Sequence, residues 1–395
     1  MASAQLDEDI QAPDPSQEGE DDLEKGPNRY SEAVVTSTDW TVDTIVAQLE
    51  EGAIDLSPIF QRRNAWRPDR KSRFIESLFL GLPIPEIVLA ERPKARGSFL
   101  VLDGKQRLFT LREFCRPDGK MFVPLKLTGL DVRQDLNRMT YGQLVDNPAH
   151  SQDVRFFRNQ AIRTVVVRNW PNDDFLYRVF LRLNTGSLPL SPQELRSALI
   201  PGPFLRFLDE FSADCRPLQV ALGISGPDFR MRDVELLLRF IAFDFFLPIY
   251  RGNLKSFLDS ASLRLNEMWP ADSEMIRSRA EVGANSIDAT LRVFGPAAFK
   301  RWIGDRYESR FNRAVFDVMT FGFRDPNVAA TAVERKEAVV RAFQEMSSDD
   351  REFSGALEST TKTVDAVWTR LERWTSKLAN VVGIQIPVPP KPNGR

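Results

Sequence analysis

Leu102-Asp103-Gly104-Lys105-Gln106-Arg107 places an acid, a glycine, an amide and two cations where an apolar run gives way to a helical pattern. A helix start offers free backbone N–H groups to an anion, and Gly104 lets the backbone approach it closely. Lys105 and Arg107 add positive charge, and the arginine fork suits a phosphate. Gln106 can orient a water or hold a base or sugar edge, and Asp103 can hold a divalent metal or orient a water. The competing reading is a tight turn that opens a solvated basic helix.

Three further segments carry candidate chemistry. Pro58 to Arg67 interleaves Gln61, Arg62, Arg63 and Trp66, with Arg70, Lys71 and Arg73 following. Such a mixture can grip a phosphate chain and stack on a base, or can be an exposed basic loop that complements acid elsewhere. In Phe180 to Arg196, Asn184 and Gly186 end one helix and Ser191 caps the next. Asn184, Glu194 and Arg196 there form a polar cluster that reads as a pocket wall. In Arg230 to Ile241, Glu235 and Arg239 stand four apart and can pair on one helix face, so this segment reads as scaffold.

The scarce residues exclude whole classes of chemistry. A single histidine, His150, cannot supply a multi-histidine zinc site, and an HNH-type nuclease needs a histidine base plus metal-holding partners. His150 lies in Asp146-Asn147-Pro148-Ala149-His150-Ser151, a loop pattern, and reads as an ordinary surface residue. Cys115 and Cys215 show no metal or redox spacing, and two thiols in so long a chain fit a reducing compartment. The richest apolar run, Phe240 to Leu247, is broken by Asp244 and is far short of the ~18 residues a membrane span requires. With an N-terminus unlike a signal peptide, the expectation is a soluble, cytoplasmic protein with no membrane partner.

The formal net charge of −2 conceals a strong asymmetry. Residues 1–25 hold nine acids against Lys25, so the remainder carries +6. Pro58 to Arg112 contains twelve bases and five acids, which accounts for the whole excess. The phosphate-binding candidates therefore lie within the basic part of the chain.

The elements that must position these residues follow from periodicity and caps. Residues 1–30 read as a disordered acidic tail. Short strands are expected at 33–35, 54–56, 87–89, 99–102, 122–127 and 162–167. Helices are expected from Thr41 or Asp43 to Glu51, at 69–80, from Gly104 to Phe114, at 173–184 and at 192–200. From Arg232 onward the pattern is almost wholly helical, at 232–246, 254–268, 273–293, 309–321, 329–346 and 357–381. This gives an α+β domain over 31–210, an all-α domain over 211–383 and a Pro-rich extended tail over 384–395.

The segments, in this order, resemble the GmrSD-type restriction endonuclease N-terminal domain family, whose core is similar to the ParB/sulfiredoxin fold. The resemblance rests on Gln61-Arg62 with Trp66, Pro83-Ile-Pro85, Asp103 to Arg107, Arg182 to Arg196, Asp233 to Phe240 and Tyr250-Arg-Gly252. It implies nucleotide binding, and often hydrolysis, in proteins that restrict foreign or modified DNA. Asp103, Gly104, Gln106 and Arg107 would line the phosphate site, with Gln61, Arg62 and Trp66 facing them. Lys105 stands where the family usually has glutamine. With its single histidine, this sequence is not expected to carry the HNH-type module that DNA-cutting relatives often append.

The reading is thus a nucleotide-binding sensor or switch component of a restriction or anti-phage system, using ATP or GTP with Mg2+ held by Asp103. Asp103, Gln106 and Arg107 are the catalytic candidates, and Gln61, Arg62, Trp66, Gly104, Lys105 and Asn184 the phosphate or nucleotide contacts. DNA and a separate effector or nuclease subunit are the expected partners. The alternatives are a DNA-binding module without turnover and a metal-dependent endonuclease in its own right.

Overall fold

The computed structural model describes Glu18 and residues 33–56, 66–119, 122–183, 191–358, 361–388 and 390–391. The acidic tail apart from Glu18, the Gln61-Arg62 element and Asn184 lie outside the described residues. Those that are described divide into two compact units, the first ending at Leu199 and the second starting at Ile200.

The first unit is built on a four-stranded sheet, β1 (Val34–Thr41), β2 (Ile87–Arg92), β3 (Ala95–Asp103) and β4 (Ala161–Arg168), in the order β1-β4-β2-β3. β1 runs antiparallel to β4, β4 parallel to β2, and β2 forms an antiparallel hairpin with β3. Inner strand β2 buries Ile87, Val88, Leu89 and Ala90 in succession, as a strand covered on both faces does. Its helices are α1 (Val42–Glu50), α2 (Pro68–Phe79), α3 (Lys105–Cys115), α4 (Tyr141–Asp146), α5 (Ser151–Asn159), α6 (Asp173–Leu183) and α7 (Pro192–Leu199). Thr41 caps α1 by accepting Thr44 N–H at 3.1 Å, and Pro68 occupies the first turn of α2, where no N–H partner is needed. Phe79 stacks on Phe157 at 4.6 Å and Phe114 meets Tyr141 at 5.4 Å, which locks α2, α3, α4 and α5 together.

Two expected strands take another form. Phe122 to Leu127 is an extended loop, with Phe122, Leu125 and Leu127 buried at a spacing that is not a strand's alternation. Its backbone is satisfied piecemeal: Leu125 N–H donates to Glu113 O, and Leu127 exchanges bonds with Arg138 and Met139. The Glu76 carboxylate of α2 pins the continuation of this loop by accepting the N–H groups of Val132 at 2.9 Å and Arg133 at 2.7 Å. Ile54 to Leu56 contributes a single parallel bridge, from Ile54 to Phe99.

The second unit is helical: α8 (Pro203–Asp214), α9 (Arg216–Leu222), α10 (Arg232–Phe246), α11 (Leu254–Phe294), α12 (Arg313–Gly322), α13 (Pro326–Glu334), α14 (Lys336–Asp349), α15 (Arg351–Glu358) and α16 (Val364–Val382). α8 and α9 have no counterpart among the sequence expectations. The helices expected at 254–268 and 273–293 are joined as α11, which breaks at Asp272 just after Pro270, where the ring removes a donor and clashes with the preceding turn. The described residues after Gly383 form neither helix nor strand.

α10 is buried almost all round, so its charges need partners from other helices. Arg239 meets Asp317 through Nε at 3.0 Å, Arg370 donates to the same carboxylate at 3.0 Å, and Glu235 binds Arg313 at 2.8 Å. Glu235 and Arg239, four apart on this helix, thus each find a partner on α12. No helix among the described residues is long and apolar enough to cross a membrane.

Candidate functional site

The strand-to-helix turn is where the site takes shape. β3 ends at Asp103, Gly104 turns the chain at φ 91°, and α3 begins with no side chain of the described residues capping its first turn. A Cβ on Gly104 would lie 3.0 Å from Ile87 Cγ1 and 3.2 Å from Arg107 Nη2, on a backbone conformation that L side chains rarely adopt. Gly104→Ala is therefore expected to cost about 1–3 kcal/mol of stability, measured as a lowered midpoint in urea unfolding. An unchanged midpoint would show that the turn relaxes freely.

The two cations of this turn are directed into the protein. Arg107, only 7% exposed, donates through Nη2 to Asp103 Oδ2 at 2.9 Å and to Glu86 O at 2.8 Å. Its buried Nε has no hydrogen-bond partner among the described residues. The Asp103 side chain is 21% exposed. Lys105 is buried and donates to Glu194 Oε1 at 2.7 Å. The other Glu194 oxygen accepts Ser191 N–H at 2.7 Å, while Ser191 Oγ accepts Glu194 N–H at 3.1 Å. That reciprocal pair is a capping box, and it makes the start of α7 part of the same polar network as the start of α3. On the same helix Arg196 donates to Gln193 Oε1 at 2.7 Å.

The sequence places Lys105 in one segment and Glu194 and Arg196 in another, and gives no pairing between the two. The available signal was the S-x-x-E spacing of Ser191 and Glu194, which leaves one carboxylate oxygen for a buried cation. Lys105 supplies that cation.

Gln106 joins the first two segments, its Oε1 accepting Trp66 N–H at 3.3 Å. The Trp66 ring packs edge-on against Phe74 at 5.7 Å, and Arg70 lies 4.9 Å from its centre. Asp103, Gly104, Lys105, Gln106, Arg107 and Trp66 thus cluster around one turn, whereas Gln61, Arg62 and Asn184 lie outside the described residues.

His150 is more engaged than a surface loop residue. It closes a short 3-10 turn, Pro148–His150, with a side chain 15% exposed and its Nδ1 3.3 Å from Asp153. Asp135 and Asp153 complete a His/Asp group, but the Arg133 guanidinium binds both carboxylates, at 2.7 and 2.8 Å, and serves as their cation. Hydrogen bonds from Arg133 hold both carboxyls below the usual carboxylate range. The thiols are inert: burial pushes Cys115 up to about 12 and raises Cys215 as well.

The model of a family described as GmrSD restriction endonuclease, N-terminal domain, matches residues 42–201, from the first residue of α1 to just beyond α7. Neither a curated protein nor a solved structure matches the chain.

Proposed function

We propose that this chain is the nucleotide-binding component of a DNA-restriction or anti-phage system, since residues 42–201 match the model of the GmrSD restriction endonuclease, N-terminal domain, family. The nucleotide, ATP or GTP with Mg2+, binds at the start of α3. The observation that carries this reading is the Asp103-Gly104 turn, where a helix start without a side-chain cap stands beside the partly exposed Asp103 side chain. The first-turn N–H groups bind phosphate oxygens. Asp103 is the residue that would hold Mg2+, which commonly takes one or two carboxylates and completes its shell with phosphate oxygens and water. The metal would supply charge neutralisation between carboxylate and phosphate.

Arg107 acts mainly by orienting Asp103, and Gln106 holds the Trp66 segment against the same turn. We assign DNA cleavage to a separate effector subunit, since the one histidine of this sequence is committed to Asp153.

Isothermal titration of the full chain with ATP and GTP, with and without magnesium, tests the proposal. Asp103→Asn keeps an acceptor for Arg107 and removes the charge, so it is the informative variant, whereas Arg107→Ala would vacate a buried position. Magnesium-dependent binding to the wild type is expected, weakened roughly tenfold or more by Asp103→Asn. No binding to the wild type, or equal binding by the variant, would overturn the reading.

A further inference from the structure

We propose that β1 is a self-pairing edge, through which two copies of this chain join their sheets antiparallel about a two-fold axis at Thr38. β1 and β3 are the outer strands of the sheet, and the two edges differ. β3 is shielded: Phe99 N–H donates to Ala53 O at 2.7 Å, and Phe99 O accepts Asp55 N–H at 3.1 Å. Its ladder with β2 is interrupted by register shifts, and its exposed first residues include Arg96. A covering segment, irregular pairing and charge are the usual means of blunting a sheet edge.

β1 has none of these. Its eight residues, Val34-Val-Thr-Ser-Thr-Asp-Trp-Thr41, pair with β4 without a break and include no lysine, arginine or proline. The ladder also fixes which backbone groups point outward. Val42 N–H donates to Gln160 O at 3.0 Å, one step beyond the pairing of Thr41 with Ala161. Even-numbered residues therefore turn their N–H and C=O groups toward β4. Val35, Ser37 and Asp39 turn theirs away from the sheet, and no strand among the described residues receives them. All three residues are exposed, Val35 by 62%.

The strand's own side chains favour a second copy as the occupant. Its one charged residue, Asp39, is bound by Arg163 of β4 at 2.9 Å, so its charge is balanced within each copy. Two antiparallel copies can be centred on Ser37, Thr38 or Asp39. Centring on Asp39 sets two carboxylates directly opposite each other, which destabilises a strand pair. Centring on Ser37 sets Asp39 against apolar Val35. Centring on Thr38 sets Asp39 against Ser37, whose hydroxyl can donate to a carboxylate, and Trp40 against Thr36, an aromatic and β-branched pair. The same register brings Val35 opposite Thr41 and so uses nearly the whole strand. Two four-stranded sheets then become one sheet of eight strands. This pairing is independent of nucleotide binding at Asp103.

Sedimentation velocity of the full chain from ~1 to ~100 μM tests the pairing, since a strand pair alone is smaller than a standard interface and should dissociate on dilution. The wild type is expected to pass from monomer toward dimer over this range. Ser37→Pro removes an outward N–H, spares the β4 ladder and suits an edge strand. It should weaken the dimer about tenfold or more. Thr38→Lys keeps the backbone unchanged and sets two ammonium groups across the axis, weakening the dimer about fivefold. Circular dichroism of both variants should match the wild type. At the axis the two copies of residue 38 form a non-hydrogen-bonded pair with Cα atoms ~4.5 Å apart, within disulfide reach. Thr38→Cys should therefore give a covalent dimer on mild oxidation, whereas the wild type, whose Cys115 and Cys215 are buried, should not. A wild type that stays monomeric, leaving the edge to a different polypeptide, would overturn the proposal. So would a dimer indifferent to Ser37→Pro and Thr38→Lys, or failure of Thr38→Cys to cross-link.

Discussion

Replacing Asp317 by alanine is expected to destabilise the helical unit by about 3–5 kcal/mol, because it leaves two guanidinium groups in the core without their shared carboxylate. Arg239, Arg370 and Asp317 each have side chains only 1% exposed. Arg370 also donates to Thr361 O and Ala356 O, so some of its hydrogen bonds survive the substitution while its charge loses compensation. For a unit of this size the cost corresponds to a fall in melting temperature of roughly 6–20 °C. Thermal unfolding followed by circular dichroism at the helical band reads it directly. A fall below about 2 °C, the scale of an ordinary surface change, would show that water or neighbouring groups compensate the arginines. The α10 segment would then not be the scaffold assigned here.

The second large effect is expected at Glu194, whose substitution by alanine should cost about 3–5 kcal/mol in the first unit. Lys105 loses its ion-pair partner while 8% exposed, and Ser191 N–H loses its acceptor at the start of α7. The double variant Lys105→Gln/Glu194→Gln removes both charges together and should recover most of the stability, since amides of similar size can hydrogen-bond across the same gap. Nucleotide titration of that folded double variant then separates two roles for Lys105. Retained affinity is expected if Lys105 positions the α3 start through Glu194. A loss with intact fold would instead place Lys105 on the phosphate itself.

Much of the architecture was legible because it depends on local chemistry. Thr41 and the Ser191-Pro192 pair mark helix starts through their own side chains and ring, and the structure begins helices there. The Asp103-Gly104 turn was readable for the same reason, since a strand pattern meeting a helix pattern across glycine leaves few backbone routes. Phe122 to Leu127 failed as a strand because a short apolar run shows that side chains are buried, not that the backbone pairs with another strand, and here its N–H groups find single partners instead. α8 and α9 were missed although each carries proline in its first turn, Pro203 in α8 and Pro217 in α9. Proline there opens a helix rather than breaking one, because the first-turn N–H it lacks would have no partner in any case.

By itself the sequence determined the α+β and helical halves, the turn at Gly104 and the concentration of positive charge between Pro58 and Arg112. Only the tertiary structure decided what each charge does. Lys105 finds Glu194 across 89 residues, Arg239 finds Asp317 across 78, and Arg70 and Arg73 are left facing solvent. The physical reason is that periodicity and capping act over a few residues along the chain, whereas a charge removed from water must be compensated by whatever the folded chain brings within a few ångströms.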